Sequence, residues 1–160
     1  MERLWAPWRM EYITESKQPE CIFCREGDDR QLLILHRTEL VMVMLNRYPY
    51  VNGHVMVAPV RHTCDLDTLS GEEMVALFRG VAFCRRVLVE AGNPDGFNIG
   101  INLGKAAGAG VEEHLHIHVV PRWSGDNNFM SVVADIRVVP EALLATYDRL
   151  LPFFRQGDRS

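Results

Sequence analysis

The chain lacks several features that mark membrane-spanning, secreted and nucleic-acid-binding proteins. No apolar run reaches the roughly 18 residues that a membrane span requires, and the first residues lack the apolar centre of a signal peptide. Acidic residues outnumber basic ones by 21 to 17, so the net charge of −4 offers a nucleic-acid backbone no general attraction. We therefore expect a cytoplasmic protein with neither a membrane nor a nucleic acid as its partner.

The chain also lacks the dense, paired cysteines of a disulfide-stabilised protein. Of its four cysteines, only Cys21 and Cys24 form a close pair, while Cys64 and Cys84 stand alone, so no disulfide framework is indicated. The 160 residues, 48% of them hydrophobic, suit one globular domain over residues 1–160.

The hydrophobic pattern changes its period along the chain. Short apolar segments separated by turn-prone residues predict strands, whereas apolar residues at helical spacing follow the capping-box pair Ser70 and Glu73. Pro140 is predicted as the first residue of a second helix. The predicted fold class is α+β, with about five mainly antiparallel strands and two helices. The predicted strands are residues 32–36, 40–45, 54–58, 96–103 and 114–120, and the predicted helices are residues 70–92 and 140–154.

Three of the six histidines recur at strand spacing within residues 113–122. Side chains alternate between the two faces of a strand, so His114, His116 and His118 are predicted to share one face, opposite the apolar residues between them. A polar strand face that is rich in histidine by chance is the simplest alternative. Histidines in register predict nucleophilic attack, proton transfer, anion binding or metal ligation.

The spacing His-φ-His-φ-His-φ-φ over residues 114–120, where φ is an apolar residue, resembles the signature of the histidine triad (HIT) family of nucleotidyl hydrolases and transferases. Residues 45–50, 53–59 and 100–110 are also similar to that family, and residues 4–12 and 121–129 resemble its bacterial branch that includes diadenosine tetraphosphate phosphorylases. The resemblance implies a HIT-like fold and a homodimer. It divides the chain into an N-terminal arm (1–20), a core (21–130) and a C-terminal helical segment (131–160).

The resemblance assigns the catalytic roles to three histidines. His116 is expected to attack the α-phosphorus of a nucleotide and form a nucleotidyl-histidine intermediate. His118 is expected to hydrogen-bond the phosphate or the departing oxygen and to donate a proton. His54 matches the family's fourth histidine and would line the same pocket, although by itself it reads as an ordinary residue at a strand end.

Nucleotide contacts are expected from two further regions. The resemblance aligns Asn46 with the residue that binds ribose hydroxyls, while a turn-capping Asn before Tyr48 is the alternative. The glycine-rich stretch before the triad favours close approach of the backbone to phosphate oxygens. The phosphate contacts are expected from backbone or side-chain groups of Asn102, Lys105, Gly108 and Gly110, and from His118.

The pair Cys21 and Cys24 has the two-residue spacing of half a tetrahedral zinc site. The resemblance supplies His62 and His114 as the other two ligands of a closed, structural Zn²⁺ site, in which His114 is not a catalytic base. A redox pair or two buried thiols are the alternatives.

The expected function is therefore cleavage of a dinucleoside polyphosphate of the diadenosine tetraphosphate type. The residues before the first histidine, Gly110 to Glu113, lack the Gln or Ser of many polyphosphate hydrolases, which favours phosphate over water as the acceptor. Lys105 or Arg122 could hold that phosphate, although Arg122 could equally be a solvated residue at a strand end. The alternatives are a nucleoside phosphoramidase that hydrolyses adenylates, a weakly active nucleotide-binding regulatory protein, and a hydrolase with a catalytic zinc.

Overall fold

The computed structural model describes residues 21–108, 110–126 and 141–158. This part of the chain forms one five-stranded sheet with helices on one of its faces. The strands are β1 (Ile34–Arg37), β2 (Val41–Leu45), β3 (Val55–Pro59), β4 (Gly96–Ile101) and β5 (Ile117–Arg122). The helices are α1 (Asp29–Leu32), α2 (Gly71–Gly92) and α3 (Leu143–Gly157), and short 3₁₀ turns cover Leu66–Thr68 and Lys105–Ala107.

The strand order is β1-β2-β3-β5-β4, and every neighbouring pair is antiparallel. The chain leaves β3, crosses the sheet through α2 and returns at the edge as β4, so that β5 fills the position between them. His118 of β5 therefore lies between Met56 of β3 and Gly100 of β4. The predicted α+β class and five-stranded sheet are confirmed.

The helical face of the sheet carries the larger core. Helix α2 is amphipathic and buries its apolar stripe on β2, β3 and β5, while α3 packs beside it with Tyr147, Leu150 and Phe154. A Cβ atom on Gly80 would lie only 3.0 Å from Val57 Cγ1, so glycine permits the close approach of α2 to the sheet. This packing fixes β5 from one side.

A smaller apolar cluster covers the opposite face. The segment that contains Cys21 folds over this face and inserts Phe23, which is 2% exposed. Its buried members are Phe23, Ile34, Met42, Met44, Met56 and Ala58. His114 and His116 emerge on this side of the sheet, next to Phe23.

The capping box that begins α2 is present. Ser70 Oγ accepts a hydrogen bond from the Glu73 N–H at 3.1 Å, and Glu73 Oε2 accepts one from the Ser70 N–H at 2.8 Å. Asn93 follows the helix in the left-handed region (φ 42°), which ends it at the predicted place.

The structure differs from the prediction at the ends of several elements. Strand β4 ends at Ile101 and not at residue 103, and α3 begins at Leu143, after the extended Ala142, and not at residue 140. Asp28 caps a short third helix, α1, and Leu33 in the left-handed region (φ 63°) ends it, so β1 begins only at Ile34. Strand β5 begins at Ile117, so His114 and His116 belong to the turn that leads into it. Pro140 and the predicted arm lie outside the described residues. None of the helices in the described ranges is long and apolar enough to cross a membrane.

Candidate active site and metal cluster

The three sequential histidines share one side of the chain, as predicted. Leu115, Ile117 and Val119 between and after them are buried in the helix-side core. The rings of His114 and His116 are 1% and 4% exposed and lie on the opposite side, with their ring centroids 4.9 and 5.2 Å from that of Phe23. The alternation of faces therefore begins before β5, in the residues that lead into the strand.

The His116 ring is held in one tautomer. Its Nδ1–H donates a hydrogen bond of 2.8 Å to the backbone carbonyl oxygen of His114. A carbonyl can only accept, so in the neutral ring the lone pair stands on Nε2. Burial lowers the pKa of His116 below its ordinary value, although the bond to His114 partly opposes this. The ring is therefore a neutral base whose Nε2 is ready to attack an electrophile.

His54 and His118 form a directed hydrogen-bonded pair. The backbone N–H of Tyr50 donates to His54 Nδ1 at 3.2 Å, so the proton of neutral His54 stands on Nε2. That Nε2–H donates to His118 Nδ1 at 2.9 Å, which leaves His118 with its proton on Nε2. Tyr50 also stacks on His54, with 4.8 Å between the ring centroids. The pair thus presents one N–H donor, His118 Nε2, beside the lone pair of His116.

Burial, followed by the neighbouring imidazoles, keeps this pair neutral. Together these effects lower the pKa of His54 from 6.5 to about 3 and the pKa of His118 from 6.5 to about 4. Near pH 7 both rings therefore keep the single proton that the hydrogen-bond chain assigns.

Both predicted asparagines border the histidines. Asn46 Oδ1 accepts a hydrogen bond from the Tyr48 N–H at 2.9 Å, which is the turn-capping role left open by the sequence, while its Nδ2 lies 3.4 Å from His54 Nε2. Asn102 follows Ile101, the last residue of β4 to pair with β5, and so leaves the sheet beside His116. Asn46 thus contacts the histidine pair, whereas the nearness of Asn102 to His116 follows from the register of β4 and β5.

The glycine-rich stretch forms an exposed turn before the triad. Gly104 and Gly108 have φ angles of 76° and 79°, which favour glycine. The Gly108 N–H already donates to the Lys105 carbonyl oxygen at 3.0 Å. Gly108 therefore suits a role in which its small size lets a phosphate approach the backbone, and not one in which its N–H donates to that phosphate. Lys105 and Gly110 are exposed on the same turn.

Arg122 does not belong to this site. Its guanidinium makes a bidentate pair with Asp126, in which Nη2 donates to Oδ1 at 2.8 Å, and its Nη1 donates to Asn98 Oδ1 at 2.7 Å. It also lies four residues beyond His118, about 13 Å along the strand. Arg122 is thus removed as a candidate to hold the acceptor phosphate. Lys105, which is exposed on the glycine-rich turn, remains the candidate.

A second cluster joins the remaining predicted residues. The ligand atoms of Cys21, Cys24, His62 and His114 all lie within 4.8 Å of one another. His114 Nδ1 is 3.3 Å from Cys21 Sγ and 3.5 Å from Cys24 Sγ, and His62 Nδ1 is 3.2 Å from Cys24 Sγ. The four predicted ligands thus converge, although they come from three separate segments.

The donor set of this cluster fits a cation. His114 donates its Nε2–H to the Pro59 carbonyl oxygen at 2.8 Å, so its Nδ1 lone pair points at the two sulfurs. Burial, and then the neighbouring Cys21, raise the pKa of Cys24 to about 11, so a bound cation is what would let the Cys24 thiol ionise. Two sulfurs and two imidazoles are the donors of tetrahedral zinc sites.

The structure divides the three histidines between two tasks. His114 turns its Nδ1 to the cysteines, whereas His116 and His118 use Nδ1 in other hydrogen bonds. This argues against a catalytic metal held by all three.

Two groups that hold the histidines were not predicted from the sequence. They are Phe23, whose ring lies against His114 and His116, and the Tyr50 N–H, which donates to His54. The position of Phe23 between the two cysteines is the signal that could have identified it.

Comparison with known proteins assigns the chain to a family. A family model described as HIT domain matches residues 29–125, and the chain belongs to that family. A Mycobacterium tuberculosis (strain CDC 1551 / Oshkosh) protein named AP-4-A phosphorylase is 39% identical over 157 residues, which cover 91% of this chain and 80% of that protein. A Dictyostelium discoideum protein named bis(5'-adenosyl)-triphosphatase is 39% identical over 97 residues, 61% of this chain and 64% of that protein.

Among solved structures, the chain is similar to a zinc-bound histidine triad family protein from Mycobacterium smegmatis. The TM-score is 0.65 at 31% identity, with 79% of this chain and 86% of that chain covered. The expected HIT-like fold is confirmed.

Proposed function

We propose that this protein is an enzyme that cleaves dinucleoside polyphosphates, with diadenosine tetraphosphate as the principal substrate, through a nucleotidyl-His116 intermediate. The observation that carries the proposal is the 2.8 Å hydrogen bond from His116 Nδ1 to the His114 carbonyl, which leaves the Nε2 lone pair for attack. The names of the relatives from Mycobacterium tuberculosis and Dictyostelium discoideum support this substrate class.

In the first half of the reaction, His116 Nε2 forms a bond to the α-phosphorus, and the bond from that phosphorus to the departing polyphosphate oxygen breaks. His118 Nε2–H donates a hydrogen bond to the oxygen on which negative charge develops. In the second half, the acceptor oxygen bonds to phosphorus, and the bond to Nε2 breaks and returns its electron pair to the ring.

The protonation state of His118 favours a polyphosphate over a phosphoramidate. An ATP or ADP leaving group departs as a stable anion and needs only a hydrogen bond, whereas an amine needs a full proton. A His118 whose pKa is about 4 is rarely a cation near pH 7, so it can offer a hydrogen bond but has little capacity to protonate an amine. Of the two roles expected of His118, the proposal therefore relies on charge stabilisation and not on proton donation.

The nucleotide is bound by the groups that border the histidines. Asn46 would contact the ribose through Nδ2, because its Oδ1 is engaged by Tyr48. Asn102, Lys105 and the glycine turn that includes Gly108 and Gly110 would surround the phosphates, since they follow β4 and precede the triad. His54 acts through His118 and positions its donor.

The decisive experiment is to trap the intermediate. Wild-type protein mixed with diadenosine tetraphosphate labelled at the α-phosphorus is quenched in alkaline detergent, because a phosphorus–nitrogen bond to histidine is labile in acid, and is then digested for mass spectrometry. Labelled AMP on the peptide that contains His116 supports the proposal. Full turnover through AMP on another residue, or with no covalent nucleotide at any time point, contradicts it.

We also propose that Cys21, Cys24, His62 and His114 bind one structural Zn²⁺ per chain. The fit of the donor set, and the zinc-bound histidine triad protein of similar fold, support it. When bound, the metal would supply cross-linking of the Cys21–Cys24 segment to the turn before β5. Thiolate ligands require a reducing compartment, which agrees with a cytoplasmic location.

The domain layout and the dimer belong to the same proposal. Residues 1–160 form one HIT domain in which the family match over 29–125 lies within the core 21–130, between the arm 1–20 and the helical segment 131–160. A homodimer is supported by the apolar surface of α2, where Phe78 is 68% exposed between Met74 and Ala82. Sedimentation of Phe78→Asp should give monomers, whereas Leu144→Asp on the exposed side of α3 should not.

A further inference from the structure

The two histidines of the metal cluster are supported in different ways. His114 is buried, and its second ring nitrogen donates to the Pro59 carbonyl oxygen at 2.8 Å. His62 is exposed, and within residues 21–108, 110–126 and 141–158 no hydrogen bond to its Nε2 is found. Its ring stands nearly perpendicular to that of His114, with 5.1 Å between the centroids. Ligating histidines are usually oriented through their other nitrogen, so His62 must be oriented by its backbone.

The residue before His62 is anchored to the start of α2. Arg61 Nε donates to Glu73 Oε1 at 2.7 Å, and Arg61 Nη2 donates to Glu73 Oε2 at 2.8 Å and to the Thr68 carbonyl oxygen at 2.8 Å. The bidentate arrangement fixes the direction of the guanidinium as well as its distance. Glu73 is itself rigid, because it belongs to the capping box with Ser70.

The residue after His62 is anchored to the triad segment. The Leu115 N–H donates to the Thr63 carbonyl oxygen at 2.6 Å. Leu115 directly follows the ligand His114 and is buried in the core. His62 therefore sits between two fixed residues, one tied to α2 and the other tied to the segment that carries the second histidine ligand.

We propose that Arg61 and Glu73 are positioning residues of the metal centre, which hold the backbone at His62 so that its Nδ1 stays beside Cys24. This inference rests on the proposed zinc site. The ion pair takes the place of the ring-to-carbonyl bond that orients His114. Without it, His62 would leave the cluster readily, while Cys21, Cys24 and His114 would remain in place.

The variants separate this role from the capping of α2. Glu73→Gln removes the ion pair but keeps a side-chain oxygen for the Ser70 N–H, since Gln also forms capping boxes. Ser70→Ala removes the side-chain cap and leaves both oxygens of Glu73 for Arg61. Arg61→Ala and the double variant Arg61→Ala/Glu73→Gln complete a double-mutant cycle for the ion pair. The matched control is Arg30→Ala, which removes another bidentate pair, that with Asp148 between α1 and α3.

The measurements are zinc transfer to a competing chelator, the visible absorption of Co²⁺ bound in place of zinc, and thermal unfolding in EDTA. Arg61→Ala and Glu73→Gln should each weaken zinc binding about 10- to 100-fold, the usual effect of losing a group that orients a ligand. The double variant should bind zinc as weakly as either single variant does, because each single change already breaks the same ion pair. The Co²⁺ spectrum should approach that of His62→Ala, while Ser70→Ala and Arg30→Ala should keep the wild-type spectrum and affinity.

Three outcomes overturn the inference, and they are distinguishable. Zinc affinity within twofold of wild type in Arg61→Ala and Glu73→Gln contradicts the positioning role and leaves the zinc site standing. Equal loss of affinity in Arg30→Ala or Ser70→Ala assigns the effect to general destabilisation. Wild-type protein that takes up neither zinc nor Co²⁺ contradicts the zinc proposal itself, and the positioning role with it.

Discussion

His116 donates its Nδ1 proton to the carbonyl oxygen of His114, and this single hydrogen bond connects the two clusters of the site. The ring of His114 faces the cysteines, while its carbonyl fixes the tautomer of the proposed nucleophile. The segment that would be cross-linked by a metal is therefore also the segment that sets which nitrogen of His116 can attack. The spacing of two residues between the histidines serves both purposes.

Replacement of His116 should abolish turnover. We expect His116→Ala to lower kcat for diadenosine tetraphosphate at least about 10³-fold, because a nucleophile is removed that no neighbouring group can replace. Thermal unfolding should stay close to that of wild type. His36→Ala is the control, since His36 packs on Phe83, far from the triad segment in the sheet. A folded His116→Ala protein with kcat within tenfold of wild type would refute the assignment.

Replacement of His54 should act through His118. His54→Phe leaves His118 Nδ1 without its donor, so the proton of His118 no longer has a fixed position; we expect kcat to fall about 10²-fold with KM nearly unchanged. His54→Gln can still donate to Nδ1 and should retain more activity. Steady-state kinetics of both variants decide the matter: equal losses, or an effect confined to KM, would speak for a simple packing role.

Much of this site follows from local sequence, and the rest depends on distant partners. The alternation of Leu115 with His116 and the capping box of α2 are set by neighbours within a few residues, so the sequence predicts both. Convergence of Cys21 and His62 was predicted only through resemblance, because the strand order that joins them is not encoded in their spacing. The role of Arg122 was left open, because its partner Asn98 lies on the neighbouring strand β4 and Asp126 reaches it only through the bend after β5.

The stability of the fold should fall in mild acid. The pKa values of His54 and His118 lie at about 3 and about 4 in the folded protein, against 6.5 for an ordinary histidine. The unfolded chain therefore binds more protons between pH 6.5 and 4, so the free energy of unfolding decreases as the pH falls through this range. Urea titrations in EDTA at several pH values measure the slope. The double variant His54→Gln/His118→Asn should show a shallower slope; an unchanged slope would place the titrating groups elsewhere.

Loss of a cysteine ligand should remove the metal and much of the stability. We expect one zinc per wild-type chain and none in Cys21→Ser or Cys24→Ser, with Tm lower by roughly 10 °C or more, since metal binding adds to folding free energy. Elemental analysis of untagged protein and thermal scans test this. Cys64→Ser is the control, because Cys64 is exposed and outside the cluster. Metal-free wild-type protein of full activity and stability would leave Cys21 and Cys24 as ordinary thiols.

The acceptor is predicted to be inorganic phosphate. The residues before the triad lack the Gln or Ser expected of a hydrolase, and Lys105 is an exposed cation on the turn that precedes it. With ¹⁸O-labelled phosphate, diadenosine tetraphosphate should give ATP and ADP whose β-phosphate carries the label; without phosphate, it should give ATP and AMP more slowly. Lys105→Ala should raise the KM for phosphate about tenfold or more, the effect of losing roughly 1.4 kcal/mol of binding. Arg122→Ala should not raise it, because that guanidinium is bound to Asp126 and Asn98. AMP as the product at every phosphate concentration would make the enzyme a hydrolase.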